Sequence, residues 1–171
     1  DSYLLTADAL VGAGRHVAVA GDLETLEVDA GGGNDTFVVS ATGATRTHIL
    51  YGGAGSDAVL VGGSVTGAFD GGAAGSITVQ GAHDLSGIAG PLVVEGGLRP
   101  TLAVPRAILS LAGETTTSGV TPVRVVDART DVDTLTLYAD AATQDLSGTI
   151  SAGHIAGFGM ATGVLVQAAS R

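Results

Sequence analysis

Residues 51–63 read YGGAGSDAVLVGG. Whether this glycine-rich run cradles a ligand, turns around a calcium ion or forms the corner of a regular all-β coil decides the fold. A phosphate loop is excluded, because GGAGSD lacks the closing Lys with Ser or Thr and runs into a strand-like segment where a phosphate loop would run into a helix. Glycine at such a corner permits positive φ, and the run DAVLV that follows presents every second side chain to one face of a strand.

Outward from this stretch, short alternating or β-branched runs recur: HVAVAG, LETLEVDA, DTFVVSA, THILYGG and DAVLVGG, then the weaker VTGAFDGG and SITVQGA. One central apolar residue from each, namely Val17, Leu26, Phe37, Ile49, Val59, Phe69 and Ile77, falls 8 to 12 residues from the next. Hairpins would also give regular strands, but two-residue Asn-Gly turns are absent, and the glycine formula returns at about twice the strand step. That is the spacing of stacked coils. The sequence therefore predicts an all-β parallel solenoid, β-helix or β-roll-like, with two or more strands per coil of about twenty residues.

The glycine formula itself has two good copies. GGAGSDAVL places Gly52, Gly53, Gly55 and Asp57 ahead of Val59; AGGGNDTFV places Ala30, Gly31, Gly33 and Asp35 ahead of Phe37, 22 residues earlier (57 − 35). A third copy, GGAAGSITV, keeps Gly71 and Gly72 but has Ala74 and Ser76 where the second copy has Gly55 and Asp57. DVDTLTL, with Asp131, Asp133, Thr134 and Leu135, is a more distant echo without the glycines.

This formula resembles the Gly-Gly-x-Gly-x-Asp calcium repeats of the repeats-in-toxin family of exported bacterial proteins. The resemblance implies Ca²⁺ held by turn carbonyls and Asp carboxylates, with Gly31, Gly33, Asp35, Gly52, Gly53, Gly55 and Asp57 as the site residues. In that family the repeats follow one another without a gap. Here more than ten residues intervene, so the expectation is one or two ions at most, using Asp35 and Asp57 with nearby carbonyls and Asp29. The competing reading is that these are degenerate glycine corners whose Asp side chains cap the turn by local hydrogen bonds.

The two ends of the chain resemble each other. TADALVGAG covers Thr6 to Gly14 and SAGHIAGFG covers Ser151 to Gly159, an offset of 145 (151 − 6), and the apolar runs VAVAG and VLVQA follow. The expected organisation is a single solenoid segment over residues 1–171: one unit of about 145 residues and the start of the next, with copies starting near Thr6 and Ser151. A start at Asp1 in place of Met fits a piece of something longer. AGFGMATGVLV, with Gly157, Gly159 and Met160, together with GGGNDTFVV, is similar to segments of long repetitive bacterial surface and secreted proteins. That likeness implies an extracellular or cell-surface location and an adhesin-like or matrix-forming role.

Composition narrows the function classes. Seventeen acidic residues against seven arginines and no lysine give a formal charge of −10, which disfavours nucleic acid as a partner. Without Cys there is no disulfide, thiolate metal site or thiol catalysis, and no apolar run approaches the roughly 18 residues that span a bilayer. The expected partners are neighbouring repeats, other copies of the chain, or cell-surface glycans. With no Lys and four Pro, few residues guard strand edges, so self-assembly into filaments or sheets is a second expectation.

Candidate catalytic residues are few. His83, Asp84 and Ser86 suggest a triad, but neighbouring residues on a strand point to opposite faces, so the tripeptide cannot assemble one by itself. The serious enzymatic alternative is a polysaccharide lyase or hydrolase with Arg124, Asp127, Arg129, Asp131 and Asp133 along one sheet. A solvated strand face explains that run equally simply, and the chain is poor in the aromatics that substrate grooves use. The favoured expectation is a non-catalytic structural unit.

Overall fold

The computed structural model describes residues 1–12, 14–63, 83–97 and 132–167. These residues form twelve short strands: β1 (Ser2–Leu5), β2 (Ala9–Gly12), β3 (Arg15–Ala18), β4 (Thr25–Asp29), β5 (Thr36–Val39), β6 (Thr47–Tyr51), β7 (Ala58–Val61), β8 (Leu92–Glu95), β9 (Thr134–Leu137), β10 (Gly148–Ile150), β11 (His154–Gly157) and β12 (Val164–Gln167). No helix occurs among the described residues. They build two six-stranded mixed sheets, ordered β3-β2-β1-β5-β7-β9 and β10-β11-β12-β8-β6-β4.

From β4 to β9 the chain alternates between the sheets, and like strands pair in parallel. Leu26 lies beside His48 and Phe37 beside Val59, both 22 residues apart, so the expected step between the two glycine formulas is the step between paired strands. Leu135 lies beside Val59, which makes DTLTL the third member of the same row. The corner that leads from one sheet to the other is residues 30–35 after β4 and residues 52–57 after β6. The expected third copy, with Gly71 and Gly72, and the run 98–125 lie outside the described residues.

Alternation within each strand determines the core. Phe37 and Val39 of β5, Val59 and Val61 of β7, and Leu5 of β1 meet Val28, Leu50, Leu92, Val94 and Val164 of the other sheet in one buried cluster. Aliphatic side chains on a pleated, two-sided interior pack well without large aromatics, and Phe37 stacks on Tyr3 at 5.0 Å between ring centroids. In β6 it is His48 and Leu50 that are buried, so Ile49, placed by the spacing in the apolar file, faces the other way.

The two extremes of the stack are antiparallel, contrary to the expectation of parallel strands throughout. β1, β2 and β3 form a meander at one end, and β10, β11 and β12 form one at the other. β1 pairs in parallel with β5, and β12 pairs in parallel with β8. The resemblance between the chain ends has a structural counterpart. Tyr3 faces Gly12 and Leu5 faces Leu10, while Gly148 faces Gly157 and Ile150 faces Ile155, every number higher by 145.

Candidate functional site

Glycine conformation shapes the turns that lead from β4 to β5 and from β6 to β7. Gly31, Gly33, Gly53 and Gly55 all have positive φ, between 91° and 132°. The turns also touch: a Cβ on Gly53 would overlap the Gly31 carbonyl oxygen, and one on Gly55 would overlap the Gly33 carbonyl oxygen. Two demands, a left-handed backbone and close approach, therefore fall together on Gly53 and Gly55, whereas a Cβ on Gly31 or Gly33 would meet nothing within 4 Å. The Ala54 N–H donates to the Gly31 carbonyl at 2.9 Å, and the Gly33 N–H to the Ala54 carbonyl at 2.7 Å.

An aspartate precedes each strand of the β1-β5-β7-β9 row, and the four are linked in file. The Asp1 nitrogen donates to Asp35 Oδ1 at 2.7 Å, the Asp35 N–H to Asp57 Oδ1 at 2.8 Å, and the Asp57 N–H to Asp133 Oδ1 at 3.0 Å. The carboxylates of Asp57 and Asp133 therefore cap the backbone of the preceding turn in the stack, not their own, and that of Asp35 pairs with the Asp1 ammonium. A second file runs beside it: the Ser56 N–H donates to Asn34 Oδ1 at 3.2 Å and the Val132 N–H to Ser56 Oγ at 3.0 Å. Gly52 and Gly96 make room for the file, since a Cβ on either would overlap the carboxylate of Asp57 or Asp133.

The structure brings all seven expected site residues to adjacent turns, Gly31, Gly33 and Asp35 in one and Gly52, Gly53, Gly55 and Asp57 in the next. The carbonyls of Gly31, Asp35 and Asp57 and the Oδ1 atoms of Asp35 and Asp57 accept hydrogen bonds from neighbouring backbone nitrogens. Ca²⁺ takes six to eight oxygen ligands, and among the described residues no group of three or more Asp, Glu or His side chains converges on a point. Asp35 Oδ2 is buried and without a hydrogen-bond partner among the described residues. Burial first, then the charges of Asp35 and Asp29, push the Tyr3 phenol above its ordinary value. Asp29 Oδ1 does make the expected local cap, accepting from the Gly31 N–H at 3.1 Å.

His83, Asp84 and Ser86 do not form a triad. His83 Nδ1 lies 2.7 Å from Asp140 Oδ1, and its Nε2 is buried without a hydrogen bond among the described residues. Ser86 instead donates to Asp84, from Oγ at 2.6 Å and from N–H at 2.8 Å, and the hydroxyl, then the amide, hold the Asp84 carboxyl below its usual range. Of the residues named for a carbohydrate site, Asp133 belongs to the aspartate file; Arg124, Asp127, Arg129 and Asp131 lie outside the described residues.

Four buried polar groups, Thr42, Arg46, His48 and Glu95, escaped the sequence reading. His48 is fully buried between Leu26 and Leu92, with neither ring nitrogen hydrogen-bonded among the described residues. Desolvation pushes its imidazole below the ordinary value, opposed by the Pro91 carbonyl and reinforced by Arg46. Glu95 is also buried, and desolvation raises its carboxyl. The available signal for His48 was its place two residues before Leu50, on the inward face of a strand.

No family model, no curated protein and no solved structure matches this chain.

Proposed function

We propose that this chain is a non-catalytic structural unit of a large exported bacterial surface protein, an adhesin or a matrix or filament component, in which the alternating strands wind as a two-sheeted parallel β-solenoid. The observation that carries this reading is the aspartate file. It spends chemically capable side chains on joining one turn to the next, which suits a scaffold and leaves little for catalysis. Aliphatic rows on the inner faces supply the remaining cohesion, and strand edges at both ends suit extension by further units.

Labelling intact and lysed cells with an antibody against this chain tests the location. Label on intact cells is expected; label confined to lysed cells overturns the reading. The enzymatic alternative requires new reducing ends or unsaturated ends from a polysaccharide panel, and the structural reading requires none.

Calcium enters on one observation, Asp35 Oδ2, which is buried and has no hydrogen-bond partner among the described residues. Melting with 2 arms, chelator and excess Ca²⁺ at about 100 times the dissociation constant, reads this directly: a bound ion would add about 2.7 kcal/mol. Coincident melting curves remove the metal from the account.

A further inference from the structure

The two antiparallel meanders are the same element with different partners. Besides sharing the register of their first two strands, they share the turn: the Thr6 N–H and Oγ1 donate to the Ala9 carbonyl at 2.9 and 3.2 Å, and the Ser151 N–H and Oγ donate to the His154 carbonyl at 2.9 and 3.1 Å. Their third strands correspond too, because Val17 pairs with Leu10 as Val164 pairs with Ile155.

Among the described residues, each meander uses only one of its two outer edges. In the first, β1 takes β5 in parallel and β3 ends the sheet; in the second, β12 takes β8 in parallel and β10 ends the sheet. Burial follows in a reciprocal pattern. Leu5 of β1 is 0% exposed and its counterpart Ile150 is 74% exposed; Val164 of β12 is 0% exposed and its counterpart Val17 is 49% exposed. At these two positions the side chain that one copy covers with a parallel strand stands open in the other, whereas Val19, the counterpart of the covered Val166, is itself only 9% exposed.

We infer that the complete meander is a joint between two units, with a parallel strand on both outer edges: β8 of one unit on its third strand and β5 of a second copy on its first. The partner is thus another copy of this same unit, an identification that rests on the tandem reading proposed above. Because β8 and β5 belong to different sheets, the joint makes one sheet of a unit continuous with the opposite sheet of the next. The register is specified by the filled edges. Tyr3 beside Phe37 and Leu5 beside Val39 place Gly148 beside Phe37, and Ile150 beside Val39, of the second copy.

A polypeptide of residues 1–171 followed directly by residues 25–171 tests this. Val17 and Val164 differ by 147, so the position after Arg171 corresponds to Thr25, and the second unit has no N-terminal meander of its own. In the tandem, amide exchange at Gly148 and Ile150 is expected to slow by roughly 100-fold relative to the single chain. The chain has no cysteine, so Ser147→Cys in the first copy with Thr36→Cys in the second should close an internal disulfide, whereas Ser147→Cys with Ala58→Cys should not. Exchange at the single-chain rate in the cysteine-free tandem, or equal oxidation of both cysteine pairs, overturns the joint. The array reading stands or falls separately, on whether the parent reading frame carries further copies beside this one.

Discussion

The turns at residues 30–35 and 52–57 and the meanders at the two ends are both pairs of like sequences, but only the turns keep a common environment. In the turns, glycines at equivalent places have positive φ and aspartates make equivalent bonds to neighbouring backbone. In the meanders, the hairpin register and turn hydrogen bonds agree, while burial is exchanged between Leu5 and Ile150 and between Val164 and Val17. Local chemistry therefore settles the shape of a turn or hairpin, whereas the worth of an apolar side chain depends on which strand lies beside it.

Leu5 and Ile150 give the largest test of that difference. Leu5→Ala removes a fully buried side chain and should cost about 2–5 kcal/mol in denaturant unfolding, while Ile150→Ala should change stability by about 0.5 kcal/mol or less. Equal losses at the two positions would mean that the exposed hairpin is already covered in solution.

Glycine replacement separates turn from end next. Gly53→Ala adds a methyl at φ 98° into the Gly31 carbonyl, and about 3 kcal/mol is expected from strain and overlap together. At Gly14, φ is 71° but nothing lies within 4 Å of the added methyl, so only the backbone term, about 1 kcal/mol, should appear. Similar melting temperatures for the two variants would break the claim that close stacking selects glycine in the turns.

The aspartate file gives a smaller effect. Asp57→Ala deprives the buried Asp35 N–H of its acceptor and should cost about 1–3 kcal/mol, whereas Asp57→Asn retains an acceptor oxygen and should cost about 1 kcal/mol or less. Should the two variants prove equally unstable, the carboxylate charge, and not the hydrogen bond between turns, would be the stabilising feature.

The mildest effect is expected from pH. His48 has a depressed folded pKa, so the unfolded chain binds the proton more readily and stability falls as pH drops below 6.5, with a slope of at most about 1.4 kcal/mol per pH unit. The fall ends once the folded imidazole is also protonated. Glu95 acts with the opposite sign: burial raises its carboxyl, and stability is regained as pH falls through its folded value. Comparing the wild type with His48→Leu between pH 7.5 and about 5 isolates the imidazole. An unchanged difference in stability across that range would show that His48 is not the titrating group.

Much of the middle of the molecule was legible from residue pattern. The 22-residue step is a register between parallel strands, and Phe37 and Val59 are core residues. The remote echo DTLTL lies in the same row because Asp133, Thr134 and Leu135 keep the chemistry of the strand start without the glycines. The site was legible only as a set of positions. Asp35 and Asp57 come to adjacent turns as expected, but spacing cannot say whether a carboxylate meets an ion, its own turn or the backbone of the preceding one. Those choices differ by a few ångströms across a stack, and the residues that make them are far apart in sequence.

The ends show the other boundary. TADALVGAG and SAGHIAGFG determined two like hairpins by themselves, because a hydroxyl at the turn and glycines at the strand end act within a dozen residues. Only the tertiary structure decided that one hairpin joins the stack through its first strand and the other through its third. That choice depends on which parallel edge is within reach, β5 at one extreme and β8 at the other, and a strand's unused edge carries the same backbone groups whatever its sequence.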